Sequence, residues 1–251
     1  DEAGVLLFNG RAEDDELRTD KCFQSTFHTA PSRSMKTDAL AQFLIWKRWP
    51  RWFLVYGSHP EDKLLADAYR RSATKFGAKI VAEKMYEDTG GARRTDSGHV
   101  QVQAQIPVFT QDGGDYDVLV AADEADVFAE YLPYNSWEAR PVAGSVGLVP
   151  SAWSRVHEQW AGTQMQRRFE KTAHRPMTER DYNVWVAMRA IGEAVTRAQT
   201  ADPAALHEYM LSDKFEVGAF KGQGLSFRSW NQQVREPMLL VTPRMLVSVS
   251  P

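Results

Sequence analysis

A chain of 251 residues with 43% hydrophobic content and a formal net charge of −3 can fill packed cores as one large domain or two small ones. The acidic balance argues against the strongly basic face of a nucleic-acid binder, and no apolar run approaches the roughly 20 residues needed to span a bilayer. The single cysteine, Cys22, excludes a disulfide within the chain and reads as a free, buried thiol.

In chain order, residues 5–8 are predicted to form a strand, with the polar stretch 9–15 as the loop at its carboxyl end. The chain starts at Asp1 with no initiator methionine and reaches a strand at once, which reads as a start in mid-fold. Residues 26–29 are extended and stop at Pro31. Ser32 or Ser34 then caps a helix whose stripe is Met35, Ala39, Phe43 and Trp46. Pro50 ends it. The aromatic and cationic residues alternating over 46–52 read as a helix end with snorkelling Lys and Arg rather than a single-stranded nucleic-acid platform. A protein partner for that surface stays open.

Residues 51–85 form one predicted βαβ unit, around which the rest is organised. Residues 52–56 are an apolar run, as in a parallel strand covered on both faces. The following helix carries Leu65, Tyr69, Ala73 and Phe76 as one stripe. Gly77 closes it, and Ile80, Val81, Ala82 and Met85 return the chain to the sheet through a right-handed crossover. In such sheets ligands lie beyond the carboxyl ends of the strands, here the turn holding Ser58 and His59.

Residues 88–105 read as a long polar loop in which Arg93 and Arg94 are solvated rather than anion-binding. Residues 116–122 are the next strand, followed by Asp123, Glu124 and Asp126 and a helix burying Val127, Phe128 and Tyr131. Capping of a helix N-terminus accounts for those acids; ligand contact at the crevice is the alternative for Asp123 and Glu124. A short strand spans 141–145, and a helix over 158–172 presents Ala161, Met165 and Phe169. The clearest helix is 178–198, capped by Thr178, with Val184, Met188, Ile191 and Val195 on one face and Tyr182 and Trp185 widening the apolar surface, so that it is expected to lie buried between neighbours. Asp202 and Pro203 open another, with Leu206 and Met210 inward. Beyond Phe215, residues 225–228 and 238–241 read as strands, with a hairpin turn at 229–232. Gly222 and Gly224 form no phosphate cradle, since no helix follows and Walker spacing is absent.

The six histidines have no metal-ligand spacing, and no GxSxG elbow exists. No catalytic set is present, so the chain reads as not an enzyme, with no metal and no cofactor.

The run Asn9, Gly10, Arg11, Ala12, Glu13, Asp14, Asp15, Glu16, Leu17 resembles the S-x-x-A-T-x-P-E-L loop of type I periplasmic binding proteins. Phe27, His28, Thr29, Ala30, Pro31, Ser32 is similar to their F-R-T-x-P-S crossing into the second lobe. The βαβ unit, the strand before Asp123, the segment 189–194 and the closing residues 224–227 follow in the family's order. Residues 38–46, 146–153 and 175–194 resemble a subgroup encoded with pyrroloquinoline-quinone-dependent alcohol dehydrogenase systems.

The resemblance implies an α/β fold of two parallel-sheet lobes with a hinge and a ligand cleft, the first lobe incomplete at its N-terminus and residues 5–8 a lone strand there. Residues 1–24 and 154–214 fall to the first lobe, residues 25–153 and 215–251 to the second. It also implies a monomeric periplasmic protein that captures a small molecule and delivers it to an ABC-transporter permease, in a setting of alcohol oxidation. A sensor or scaffold on the same fold is the alternative; a small-molecule enzyme on an α/β fold ranks below it. The implied ligand contacts are Asn9, Arg11, Glu13, Ser58, His59, Asp123 and Glu124. Where amino-acid binders place a Thr for the ligand carboxylate, this chain places Glu13. Like charges about 4 Å apart repel by about 4 kcal/mol at an effective dielectric of 20, so a free α-amino acid is not the expected ligand. Arg11 and His59 suit an aromatic acid such as pyrroloquinoline quinone, and Glu13, Asp123 and Glu124 a hard cation.

Overall fold

The computed structural model describes residues 4–89 and 101–251. The elements run β1 (Leu7–Asn9), β2 (Thr26–His28), α1 (Arg33–Trp46), β3 (Arg51–Gly57), α2 (Pro60–Phe76), β4 (Lys79–Tyr86), α3 (Val102–Phe109), β5 (Val118–Ala122), α4 (Leu132–Asn135), β6 (Val142–Gly144) and β7 (Val149–Ser151). They continue with α5 (Gly162–Ala173), α6 (Glu179–Ala198), α7 (Pro203–Leu211), β8 (Val217–Gly218), β9 (Gly224–Phe227), β10 (Val234–Arg235), β11 (Met238–Val241) and β12 (Leu246–Ser250). The chain divides into two compact units: one of Asp1–Arg33 and Ser151–Leu239 with Pro251, the other of Ser34–Pro150 and Leu240–Ser250. This division differs from the lobes read off the sequence. Residues 25–33, 151–153 and 215–239 join the first unit, because β2 pairs with β1 and Trp153, Phe215, Leu225 and Phe227 complete the core beneath α6 and α7.

The second unit is built on a parallel sheet of order β4-β3-β5-β6. The central strand β3 lies between β4 and β5, as its unbroken apolar run requires: Trp52, Phe53, Leu54 and Val55 are each 0% exposed. The α2 helix buries Ala66, Tyr69 and Ala73 and ends at Gly77, whose φ of 76° is the left-handed conformation glycine supplies at a helix end. One face of the sheet is filled by Phe53, Val55, Tyr86, Ile106, Leu119 and Phe128, with Tyr86 and Phe128 stacked at 4.7 Å.

Several local expectations change. In α1 the buried residues are Thr37, Leu40, Ala41 and Leu44 with Ala39, while Trp46 is 73% exposed. Part of the expected long loop is α3, which buries Val102 and Ile106 one turn apart despite Pro107 within it. Arg93 and Arg94 lie outside the described residues. The helix expected after Asp123 is only a 3₁₀ turn over Ala129–Tyr131 and the single turn of α4, because the Asp123 side chain holds the preceding backbone in a loop.

In the first unit β1 is not a lone strand. It pairs in parallel with β2, Phe8 opposite Phe27, and their rings stack at 5.3 Å. Helices α5, α6 and α7 share the core of these strands: Phe27, Met165, Tyr182, Leu206 and Met210 are buried together, with Leu6 and Phe8 packed against them. Thr178 caps α6, accepting from Asp181 N as expected. The expected stripe of α6 is not its buried face, however. Tyr182, Val186, Ala187, Ala190 and Ala194 turn inward, whereas Val184 and Met188 are 55% and 64% exposed. Helix α5 starts at Gly162, after an irregular turn in which Trp160 and Ala161 take positive φ. The turn at 229–232 does close a hairpin, but its second arm is the short β10, antiparallel to β9. Cys22 is half-buried, its Sγ 3.7 Å from Gln232 Oε1.

Candidate functional site

Because β3, β4, β5 and β6 are all parallel, the segments leaving their carboxyl ends meet along one edge of the sheet. This is where an open α/β sheet offers a crevice. A row of hydrogen bonds stitches that edge from end to end. Ser58 Oγ, after β3, accepts from Asp88 N, after β4, at 3.1 Å. His59 Nε2 lies 2.9 Å from Asp88 Oδ2. Asp62, in the first turn of α2 and fully buried, accepts from His59 N at 3.2 Å through Oδ2. Its Oδ1 accepts from Glu124 N and Ala125 N, after β5, at 2.6 and 2.9 Å. Asp123 N donates to Ser145 Oγ, after β6, at 2.9 Å.

Of the residues expected here, Ser58, His59, Asp123 and Glu124 are therefore brought together, in different roles. The Asp123 carboxylate is 4% exposed and turned into its own loop. Its Oδ1 accepts from Val127 N at 2.9 Å, and Oδ2 from Phe128 N and Ala129 N at 2.8 and 2.7 Å. That is the capping role weighed from the sequence, carried out on a loop instead of a long helix. Glu124 is exposed and fixed by its backbone. Asp62, Asp88 and Ser145 were not singled out beforehand. Asp62 had one signal, an acid three residues after a helix start, but that position usually serves only its own helix.

Electrostatically the edge is acidic with one imidazole. Hydrogen bonding to Asp88 raises the His59 pKa, and the charges of Asp62, Asp88 and Glu61 act in the same direction. Burial raises the Asp62 pKa against its three backbone donors. A raised folded pKa for His59 means that the interaction with Asp88 is fully present below the unfolded value of 6.5 and is lost as pH rises through the folded pKa. Asp88→Asn should then move the His59 titration, read by NMR of its ring protons, down toward the unperturbed value. A titration unmoved by that change would place the cause elsewhere.

In the first unit, Asn9 ends β1 and Arg11 and Glu13 lie just beyond it, at the carboxyl end of a second parallel pair. Asn9 is consumed in shaping its turn: Oδ1 accepts from Arg11 N and Ala12 N at 3.1 and 2.7 Å, and Nδ2 donates to Ala12 O at 2.8 Å. The main-chain oxygen of Glu13 accepts from Arg33 N at 2.9 Å, and Arg33 Nη1 reaches Asp14 Oδ1 at 2.7 Å. Beneath them Arg18 is buried, donating to Ala12 O, Asp14 O, Ala30 O and Gln233 Oε1. Burial lowers its pKa to about 10. The neighbouring His28, held down to about 4 by burial and by the Arg18 charge, is neutral at pH 7. Arg11 is exposed. Arg11 and the half-buried Glu13 thus stand at this end on a turn fixed from below.

Among the described residues, no group of three or more His, Cys, Asp or Glu is placed to hold a metal ion. No helix there is long and apolar enough to cross a membrane.

The comparisons with known proteins agree with this architecture. No curated protein matches the chain. Among solved structures, a leucine-, isoleucine-, valine-, threonine- and alanine-binding protein from Brucella ovis superposes with a TM-score of 0.76 at 13% identity, over 94% of this chain and 63% of its own. A branched-chain amino acid ABC transporter periplasmic ligand-binding protein from Burkholderia xenovorans gives 0.78 at 16%, over 100% and 71%. A solute-binding protein of an ABC transporter from R. palustris, in complex with benzoate, gives 0.71 at 13%, over 100% and 72%. The chain thus spans about two thirds of the length of these structures. At such identities they speak for the fold alone. A family profile described as "Periplasmic binding protein" matches residues 1–244, and on that match the chain belongs to the periplasmic binding protein family.

Proposed function

We propose that this chain captures a small solute in the periplasm and delivers it, as a monomer, to the permease of an ABC transporter, and that the solute is an aromatic or quinonoid acid instead of a free α-amino acid. The observation that carries the reading is the stitched carboxyl edge of the second unit. Four loops are held in place by internal carboxylates and hydroxyls, with the His59 imidazole on Asp88 and the exposed Glu124 at the same edge. Asn9, Arg11 and Glu13 are the contacts proposed on the first unit.

The chemistry of the two ends favours an acid over a cation. Asp123 uses both oxygens on its own backbone, which removes the most buried of the three carboxylates a hard cation would need. Arg11, and His59 with its pKa raised by the Asp88 hydrogen bond, offer positive charge to an anionic group, and Glu13 opposes the α-carboxylate geometry of amino acids. The R. palustris neighbour was solved with benzoate, so the shared fold accommodates an aromatic carboxylate. The narrower link to alcohol oxidation and pyrroloquinoline quinone rests on the resemblance of residues 38–46, 146–153 and 175–194.

Calorimetric titration tests the reading directly. Pyrroloquinoline quinone or benzoate should bind in the micromolar range, while leucine, isoleucine, valine, calcium and lanthanide ions should not. Arg11→Ala should weaken the acid. Micromolar binding of any of the three amino acids would overturn the proposal.

A further inference from the structure

The second unit contains a cavity that the carboxyl edge does not use. It measures about 680 Å³, within the range that encloses a drug-sized molecule. Phe43 on α1, Trp49 ahead of β3, Pro133 on α4, Val142 on β6 and Val247 on β12 are among its walls. It shares no lining residue with Ser58, His59, Asp62, Asp88, Asp123, Glu124 or Ser145.

The walls dictate the class of occupant. They are aliphatic, prolyl and aromatic almost throughout, so the body of a guest gains by leaving water. At the rim stands Lys47, whose ammonium lies 5.6 Å from the Trp46 ring and 5.8 Å from the Trp49 ring. Glu130 also lines the cavity but is engaged in an interaction of its own. Around the opening Tyr134 is 93% exposed, and Trp46 beside Lys47 is 73% exposed. Large rings held in water beside an apolar cavity mark a binding surface and not chance exposure. We propose that this cavity is a second ligand site of the chain, for an amphipathic carboxylate: its apolar body lies against Trp49, Val142 and Val247, and its anionic head meets Lys47 over the two tryptophan rings. This site is independent of the solute reading above.

Isothermal titration of the whole chain with decanoate, and with decanol as its neutral counterpart, tests the site. Decanoate should bind. Lys47→Glu should weaken decanoate about threefold, the scale of one exposed ion pair, and leave decanol unchanged. Val247→Trp should weaken both at least about tenfold by filling the cavity. A far-ultraviolet spectrum and urea midpoint check that the variant folds. Should it not fold, the variant at the exposed Lys47 still decides. Pyrroloquinoline quinone binding should survive both changes, which separates failure at this site from failure of the solute reading. Absence of decanoate binding, or decanoate affinity indifferent to both variants, overturns the proposal. So does a concentration-dependent dimer, seen by sedimentation, that Val247→Trp dissolves, since the cavity would then be a contact between copies.

Discussion

Replacing Lys221 with methionine is expected to destabilise the protein by about 3–5 kcal/mol at neutral pH, the range for removing one partner of a buried ion pair. The Lys221 side chain is 0% exposed, with Glu236 Oε2 3.5 Å away at 1% exposure. Its ammonium donates to Ala152 O and, at 2.9 Å, to Pro237 O, and lies 5.2 Å from the centre of the Tyr182 ring. Burial lowers its pKa while Glu236 and Glu179 pull it back up. Ala152 and Pro237 each sit within two residues of a point where the chain leaves the first unit, so one cation fastens both exits. Methionine keeps the stem and loses every donor. Urea denaturation measures the loss, and the double change Lys221→Met with Glu236→Gln should recover part of it, because the remaining charge is then gone. A loss below about 1 kcal/mol would show that the interior tolerates Glu236 without its cation.

Asp123→Ala should cost about 2–4 kcal/mol, since hydrogen bonds to a charged acceptor contribute about 1.5–3 kcal/mol and stranded buried donors add to the loss. Three amide N–H groups, of Val127, Phe128 and Ala129, converge on this carboxylate. No other secondary structure is available to them before the 3₁₀ turn at Ala129. Asn in its place keeps one acceptor oxygen and should lose roughly half as much. If Asp123 instead acted by touching the solute, the alanine variant would keep its urea midpoint and lose only binding. Parallel chemical denaturation and calorimetry separate the two outcomes.

What could be read in advance follows a physical divide. The β3–α2–β4 unit was legible because its signals are local: an apolar run, one helical stripe and a glycine at the left-handed closing position. The partner of β1 was not, since the pairing of Phe8 with Phe27 joins short strands separated by a polar loop, and nothing in either strand names the other. In α6 Tyr182 is buried as its size suggests, with Trp185 and Val195 packed against the core, but Val184 and Met188 pointed to the wrong face. Ala187, Ala190 and Ala194 take the inside because small side chains let a helix approach its neighbours closely, leaving Val184 and Met188 outside. The site divides in the same way. The rule for parallel sheets points to this edge, and Ser58, His59, Asp123 and Glu124 do lie along it. Asp62, Asp88 and Ser145 act across gaps of 20 residues or more, where a sequence gives no neighbour to read.

The close approach of Asp62 to Gly57 has a thermodynamic consequence. A Cβ at position 57 would stand 2.1 Å from Asp62 Oδ2, so the last residue of β3 is bare in order that a carboxylate can lie against it. That carboxylate in turn fixes Glu124 and Ala125. Restricting a backbone residue to one conformation costs about 1–2 kcal/mol of entropy, and here that cost is met during folding, before any solute arrives. A solute reaching this edge loses little affinity to ordering the loops around it. The same rigidity makes selection stringent: a molecule that needs the turn elsewhere cannot mould it without first displacing a buried acid.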